Sequence, residues 1–462
     1  MTPLSVIITI AAYFVILFTV SYIAGRKADN AGFFVGNRKS SWYVVAFAMV
    51  GSAISGVTYV SVPGMVAASN FGYLQMVLGF IAGQLIIAYL LVPLFYKMNL
   101  VSIYEYLENR FGMSSYRTGA WFFFISKMLG AAVRLFLVCL TLQLLVFEPF
   151  GLPFLLNVAI TVALVWLYTF QGGVKSLIWT DSLKTFCLVV SVVLCIWYIA
   201  SDLNLSFTGM VSTIADSDMS RIFDDVNSKQ YFFKQFLAGA FTMIAMTGLD
   251  QDMMQRNLSC KNFKDSQKNM ITSVISQFFV ILLFLMLGVL LYIFAANQQI
   301  AVEKSDELFP LIATGNYFPA IVGILFIIGL ISSAYSAAGS ALTALTTSFT
   351  VDILGTKGKS EETVVKMRKK VHIGMAVVMG ITIFVFNLLN NTSVIDAVYI
   401  LASYTYGPIL GLFAFGIFMK QQVRDKYIPL VAIASPVLCF ILNALFTFIG
   451  LCLLIKKDKK NN

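Results

Sequence analysis

The chain is short of the residues with which proteins usually do chemistry near neutral pH: its 462 residues include one histidine and six cysteines. The histidine, His372, opens an apolar run beside a basic loop, the setting of a hydrogen-bonded interfacial residue rather than a catalyst. No CxxC or HExxH pair offers a transition-metal site, and no GxxxxGK(S/T) loop is there to bind nucleotide phosphates. The sequence therefore shows no machinery for an enzyme or for ATP-driven transport. Cys139, Cys187, Cys195, Cys439 and Cys452 lie in apolar runs and Cys260 in a basic loop, which implies no disulfide framework. Charge is scarce as well, 12% against 59% hydrophobic residues, a balance that points to an integral membrane protein.

Apolar length is what the chain has instead. Runs long enough to cross about 30 Å of hydrocarbon as a helix lie near residues 3–24, 44–69, 73–96, 118–147, 152–170, 176–200, 232–250, 270–296, 317–353, 371–390, 394–419 and 428–455, which predicts about twelve transmembrane segments. The net charge of +10 does not indicate nucleic acid as a partner, because lysine and arginine gather in alternate loops, as at Arg26, Lys27, Arg38 and Lys39 or from Lys357 to Lys370. That alternation makes these loops cytoplasmic and puts the N-terminus outside a cell membrane crossed many times. The first run has no basic stretch before it and no small-residue cleavage site after it, so it is expected to remain as a helix. Twelve spans would leave the basic tail KKDKK outside, against the charge rule; a short hairpin near Ser435-Pro436 or Asn443 would restore parity.

Two segments are polar where lipid should surround them. In GLISSAYSAAGSALTALTTSFT, Gly329 to Thr350, the hydroxyls of Ser332, Ser336, Ser340, Thr343 and Thr347 recur at spacings of four or three and share one helix face, with Ser333 beside them. Aligned hydroxyls suit a small hard cation, and small residues also serve close packing of membrane helices. The second segment crowds Gly51, Ser52, Ser55, Gly56, Thr58, Ser61, Pro63 and Gly64 at its middle. A break there frees backbone groups that lipid cannot satisfy, so it should face a cavity or a ligand; a kink packed by neighbours is the plainer alternative.

Intramembrane charge adds a third signal. Lys127 and Arg134 are seven residues apart on similar helix faces, Lys127 near enough to the interface to snorkel and Arg134 near the middle. Arg134 suits either an ion pair, with Asp181 as the obvious carboxylate, or a substrate anion. Asp181, in GGVKSLIWTDSLKTF, has Lys184 one turn later as a candidate partner. Asp250, Asp252 and Arg256 read as an interfacial salt-bridge cluster at a cytoplasmic helix exit. Polar mid-membrane positions on several helices, one of them broken, fit a secondary transporter with its site at the bilayer centre.

At these residues the chain resembles the sodium:solute symporter family, through SIYEYLENRFG (Ser102 to Gly112), GGVKSLIWTD (Gly172 to Asp181), GLDQDMMQR (Gly248 to Arg256) and GLISSAYS (Gly329 to Ser336), in the family's order and spacing. The resemblance implies an all-α membrane transporter of the LeuT-like type, with an inverted five-plus-five helix repeat. An extra helix and link would occupy 1–43, the first repeat 44–200, an extracellular loop 201–231, the second repeat 232–419, and a C-terminal helix or hairpin with its tail 420–462. It implies Na⁺ as the coupled ion, held by carbonyls of Gly51, Ile54 and Gly329 and hydroxyls of Ser332 and Ser333. Five oxygens without a carboxylate favour Na⁺ over H⁺, since no group in the cage carries a proton. Some members hold a second sodium, for which Asp181, Ser332 and Ser336 match, but Tyr335 stands where those members have serine. Arg134 looks like the arginine that sialic-acid-transporting members use for the substrate carboxylate, with Ser55 and Thr58 lining the site. A carboxylate-bearing solute, an acidic sugar or a monocarboxylate, is the expected cargo of a monomer working in the lipid bilayer. A neutral sugar, vitamin or inorganic anion, or a membrane sensor on the same scaffold, is the alternative.

Overall fold

The computed structural model describes residues 3–25, 29–143, 147–170, 172–228, 230–302, 305–315, 317–389, 404–439 and 441. Among them the chain is all-helical apart from one isolated bridge between Ser40 and Cys260. Short connecting helices aside, the order is α1 (Pro3–Gly25), α2 (Trp42–Ala53), α3 (Gly56–Gly64), α4 (Tyr73–Ile86), α5 (Met113–Leu142), α6 (Phe154–Thr169), α7 (Val174–Asp202), α8 (Phe232–Met243), α9 (Gln251–Asn257), α10 (Phe263–Asn297), α11 (Ala320–Ser348), α12 (Glu361–Leu389) and α13 (Tyr406–Phe418). Among the described residues, seven helices are long and apolar enough to cross a membrane, or nine spans if each of two bent pairs counts as one. With the shorter apolar helices α6 and α13, these coincide with the first eleven predicted segments. The twelfth begins as a helix over 428–439 that runs through Ser435 and Pro436 unbroken. The parity of the tail beyond it, including Asn443, lies outside the described residues.

The predicted break in the second segment is present as a 64° bend between α2 and α3. It falls at Ile54 and Ser55 rather than at the proline. Pro63 sits inside the last turn of α3, where the Tyr292 hydroxyl donates to the Gly64 carbonyl at 2.6 Å. A second bend corrects the sequence reading. The seventh segment does not end at Asp250; past Gly248 it bends by 73° and continues as α9, all of whose residues but Met253 are buried. Acidic and basic side chains in sequence look like an interface, but here they find one another inside the protein.

Glycine sets how closely the central helices approach. A Cβ on Gly79 of α4 would lie 2.1 Å from the Phe236 carbonyl oxygen, and one on Gly239 of α8 would lie 2.1 Å from that of Met76. The helix carrying the first bend's successor and the helix leading into the second bend therefore cross backbone to backbone. The hydroxyl-rich α11 lies between two apolar clusters. Tyr335, Ala338, Leu342 and Leu345 pack into the one built with α1, α5, α6 and α12, and the serine face turns the other way, towards the bends.

Candidate functional site

The first bend separates two helix ends of opposite polarity. In α2 the backbone ladder reaches Ile54, whose amide donates to the Val50 carbonyl at 3.2 Å; Ile54 is then extended, with φ −93° and ψ 107°. The carbonyls from Gly51 to Ile54 lie past the end of that ladder and carry the negative end of the α2 dipole. Ser55 caps α3, its hydroxyl accepting from the Thr58 amide at 3.1 Å and lying 2.9 Å from the Thr58 hydroxyl. The amide end of α3 thus faces the same gap with partial positive charge, suited to an anion.

Helix α11 closes on this gap. A Cβ on Gly56 would sit 2.7 Å from Ser333 Oγ, and one on Gly329 would sit 3.3 Å from the Tyr59 ring. Ser332 and Ser333 are fully buried and donate their hydroxyl protons to their own helix, Ser332 to Gly329 O at 3.1 Å and Ser333 to Leu330 O at 2.8 Å. A hydroxyl anchored that way directs its remaining lone pair outward, where it can accept a cation. The structure therefore brings Gly56, the first residue after the break, next to Ser333. The Cα of Gly51 packs against α7, where a Cβ would meet Thr185 Oγ1 at 2.1 Å and the Asp181 carbonyl at 3.0 Å.

Asp181 is buried with protein partners on both carboxylate oxygens. Arg256 Nε donates to Oδ2 at 3.2 Å, the Ser52 hydroxyl donates to the same oxygen at 3.0 Å, and the Ser336 hydroxyl donates to Oδ1. Arg256 Nη1 also pairs with Asp252 at 2.6 Å. Lys127 lies 2.7 Å from Asp252 and 3.1 Å from Asp250, which also accepts from the Tyr406 hydroxyl at 2.9 Å. Three sequence readings change as a result. Lys127 does not snorkel to the interface, because two buried carboxylates hold it. Asp181 takes Arg256 as its ion-pair partner, neither Arg134 nor Lys184. The expected salt-bridge cluster at Asp250, Asp252 and Arg256 does form, but inside the protein, with each residue no more than 2% exposed. The missed signal was local: Asp250 caps α9 through the amides of Asp252 and Met253, just after Gly248. An N-cap aspartate following glycine permits a helix to restart, although the charges after it permit a span to end as well.

Arg134 lies two turns after Lys127 on α5, half-buried, with Lys184 and Tyr406 in its electrostatic neighbourhood. His372 is buried as well as satisfied, with Nε2 3.0 Å from Thr169 Oγ1 and Nδ1 2.8 Å from Thr346 Oγ1.

Comparisons with known proteins follow the same lines. The family model described as "Sodium:solute symporter family" matches residues 33–425. The sodium/sialic acid symporter NanT of Aliivibrio fischeri (strain ATCC 700601 / ES114) is 25% identical over 412 residues, 87% of this chain and 80% of the relative. The human sodium/iodide cotransporter is 23% identical over 417 residues, 87% of this chain but 63% of the longer relative. A solved Na⁺-coupled sialic acid symporter, in a substrate-bound outward-open state, superposes with a TM-score of 0.78 at 22% identity over 90% of this chain and 87% of its own, which establishes a shared fold. With a broken helix, a serine-lined neighbour and a family match over most of its length, the chain belongs to the sodium:solute symporter family.

Proposed function

We propose that this protein is a sodium-coupled symporter that imports a small carboxylate-bearing solute, an acidic sugar or a monocarboxylate, across a cell membrane by alternating access. The observation that carries the reading is the first bend, where the carbonyl end of α2 and the amide end of α3 meet beside the buried Ser333. One end suits a cation and the other an anion, so a single break can serve Na⁺ and a carboxylate together. The sodium cage consists of the Gly51, Ile54 and Gly329 carbonyls with the Ser332 and Ser333 hydroxyls. The solute carboxylate is met by Arg134, with Ser55 and Thr58 at the mouth of α3. Relatives named for sialic acid and for iodide move anions, which supports an anionic cargo.

Sodium bridges α2 and α11 and so favours the conformer in which the solute site is assembled. Coupling is the difference in sodium affinity between conformers, and each ligand raises the apparent affinity of the other by the same factor. The two bends, at 54–55 and after 248, fall at corresponding places in two five-helix repeats, 44–200 and 232–419. The basic loops lie in the cytoplasm with the N-terminus outside, and the protein works as a monomer.

Ser332→Ala with Ser333→Ala removes two of the five oxygens. Half-saturating sodium for solute uptake is expected to rise at least tenfold, about 1.4 kcal/mol. Sodium activation identical to wild type would remove the cage. A thermal-shift screen of the purified chain against sialic acid, lactate and neutral sugars, each in Na⁺ and in K⁺, identifies the solute class. Stabilisation by the neutral sugars alone would refute the carboxylate reading.

A further inference from the structure

The groove between α6 and α12, and the basic loop that leads into α12, play no part in the function above. The two helices touch where a Cβ on Gly380 would meet Val162 Cγ2 at 3.8 Å, and beside that contact they leave a cavity of about 520 Å³. Its walls run from Leu155 to Trp166 on α6 and from Ile373 to Phe384 on α12, and no lining residue is charged or hydroxyl-bearing. Ile373, Val377 and Ile381 are exposed, so in a membrane the groove opens to hydrocarbon. At about 1.5 Å per residue each wall is roughly 16 Å long, about half of the roughly 30 Å hydrocarbon thickness. The groove is therefore as deep as one leaflet, the length of one acyl chain.

One end of this groove is basic. Lys369 and Lys370 stand four and three residues before Ile373 and so continue the groove face of α12. The Lys369 ammonium lies 5.6 Å from the centroid of the Phe170 ring, and that ring packs at 4.8 Å on Trp166 of the opposite wall. Both lysines are exposed, with no carboxylate within 4 Å among the described residues. The acids of that turn are taken: Glu362 pairs with Lys366 at 2.6 Å, and Glu361 accepts from the Asn30 amide at 3.3 Å. Arg368 turns inward instead, over the Phe33 ring at 4.3 Å. An apolar trough one leaflet deep, with two unpaired ammonium groups at its interfacial end, complements an anionic amphiphile. A second copy of this chain suits it poorly, because a two-fold axis along the membrane normal would set the lysines of both copies against one another at the same depth.

We propose that the groove between α6 and α12 is a binding site for an anionic phospholipid, with the phosphate held by Lys369 and Lys370 and one acyl chain lying along the groove from Trp166 towards Phe384. The charge supplies the choice of headgroup and the trough supplies the place. None of these residues belongs to the sodium cage or the solute site, so the lipid site stands or falls apart from the proposed function.

The test uses the full chain reconstituted in phosphatidylcholine bilayers that contain brominated phosphatidylglycerol or brominated phosphatidylcholine as a minor component, with tryptophan fluorescence as the readout. The part of the quenching that Trp166→Phe removes reports the groove. Phosphatidylglycerol is expected to quench that part at about a tenth of the mole fraction that phosphatidylcholine needs, a preference within reach of two lysines near a phosphate. Lys369→Gln with Lys370→Gln is expected to abolish the preference. Ala163→Phe, at an exposed position of the α6 wall, keeps both lysines and obstructs the groove; it too is expected to lose the preference. Equal quenching by the two lipids in wild type overturns the proposal, and this comparison needs no lysine or groove variant to fold. A preference that survives the lysine substitutions overturns it as well, and one that survives Ala163→Phe shows anionic lipid gathered loosely around the protein rather than seated in the groove. Loss of the preference on adding soluble glycerol phosphate would assign the lysines to a free phosphate. Quenching by neither lipid, in a protein that runs as a dimer, would give the groove to a second copy.

Discussion

Replacing Arg256 with methionine should destabilise the protein more than any conservative change at Asp181. Arg256 Nε lies 3.2 Å from one carboxylate and Nη1 lies 2.6 Å from another, all of them buried. At an effective dielectric constant of about 20, each attraction is worth roughly 5 to 6 kcal/mol. Desolvation cancels most of that in the intact network, so the pair adds little net stability. Breaking it is a different matter, because Arg256→Met leaves Asp181 with only its two serine donors and Asp252 with Lys127 as its one paired cation; the expected cost is about 3–5 kcal/mol. Asp181→Asn keeps a polar group for Ser52 and Ser336, and Arg256 keeps Asp252, so about 1–3 kcal/mol is expected. The double variant should recover part of the loss, with a coupling energy above about 1 kcal/mol. Apparent melting temperatures of detergent-purified protein, compared at one heating rate so that any irreversible step affects each variant alike, read the order. If Arg256→Met does not accumulate, recovery of folded protein in the double variant is the readout. An Arg256→Met protein as stable as wild type, or strict additivity, would refute the account of this network.

Two further changes probe other parts of the molecule. Arg134→Ala should abolish uptake of a carboxylate while the purified protein keeps its sodium-dependent thermal shift; uptake at wild-type rates would remove its role as counter-ion. Asp425, outside the spans, accepts from the Ser114 and Ser115 amides at 2.8 and 2.9 Å and from the Ser115 hydroxyl, capping the start of α5. Burial pushes its pKa up, and these hydrogen bonds outweigh that, holding it below the usual carboxylate value. A depressed folded pKa contributes stability that is full above the unfolded value, near 3.9 by approximate reference, and is lost as pH falls through the folded one. Asp425→Ala should therefore cost about 0.5–2 kcal/mol at pH 7. The gap to wild type should narrow below about pH 4; a gap independent of pH would show that the carboxylate charge contributes nothing.

The hydroxyl face of α11 and the break before α3 were legible because each is a local property. Serine at helical spacing, and glycine crowded with hydroxyl residues at mid-membrane depth, mean the same thing whatever surrounds them. The second bend was not legible, since Gly248 and Asp250 precede a run of charges that reads equally well as the end of a span. Only the neighbours distinguish a helix that stops from one that restarts. Lys127 shows the same limit, because a lysine near a helix end snorkels unless carboxylates from another element come close, as Asp252 does at 2.7 Å and Asp250 at 3.1 Å.

Periodicity and composition thus decide how many apolar segments there are, which faces carry oxygen and which loops carry positive charge. Pairing is different. Asp181 and Arg256 are 75 residues apart, and Ser336 is 155 residues from Asp181. Which cation neutralises which carboxylate depends on the crossing of α7, α9 and α11, and Coulomb energy falls so steeply with desolvated distance that a shift of a few ångströms chooses a different partner. One chain of residues lists the charges, and the packing of its helices assigns them.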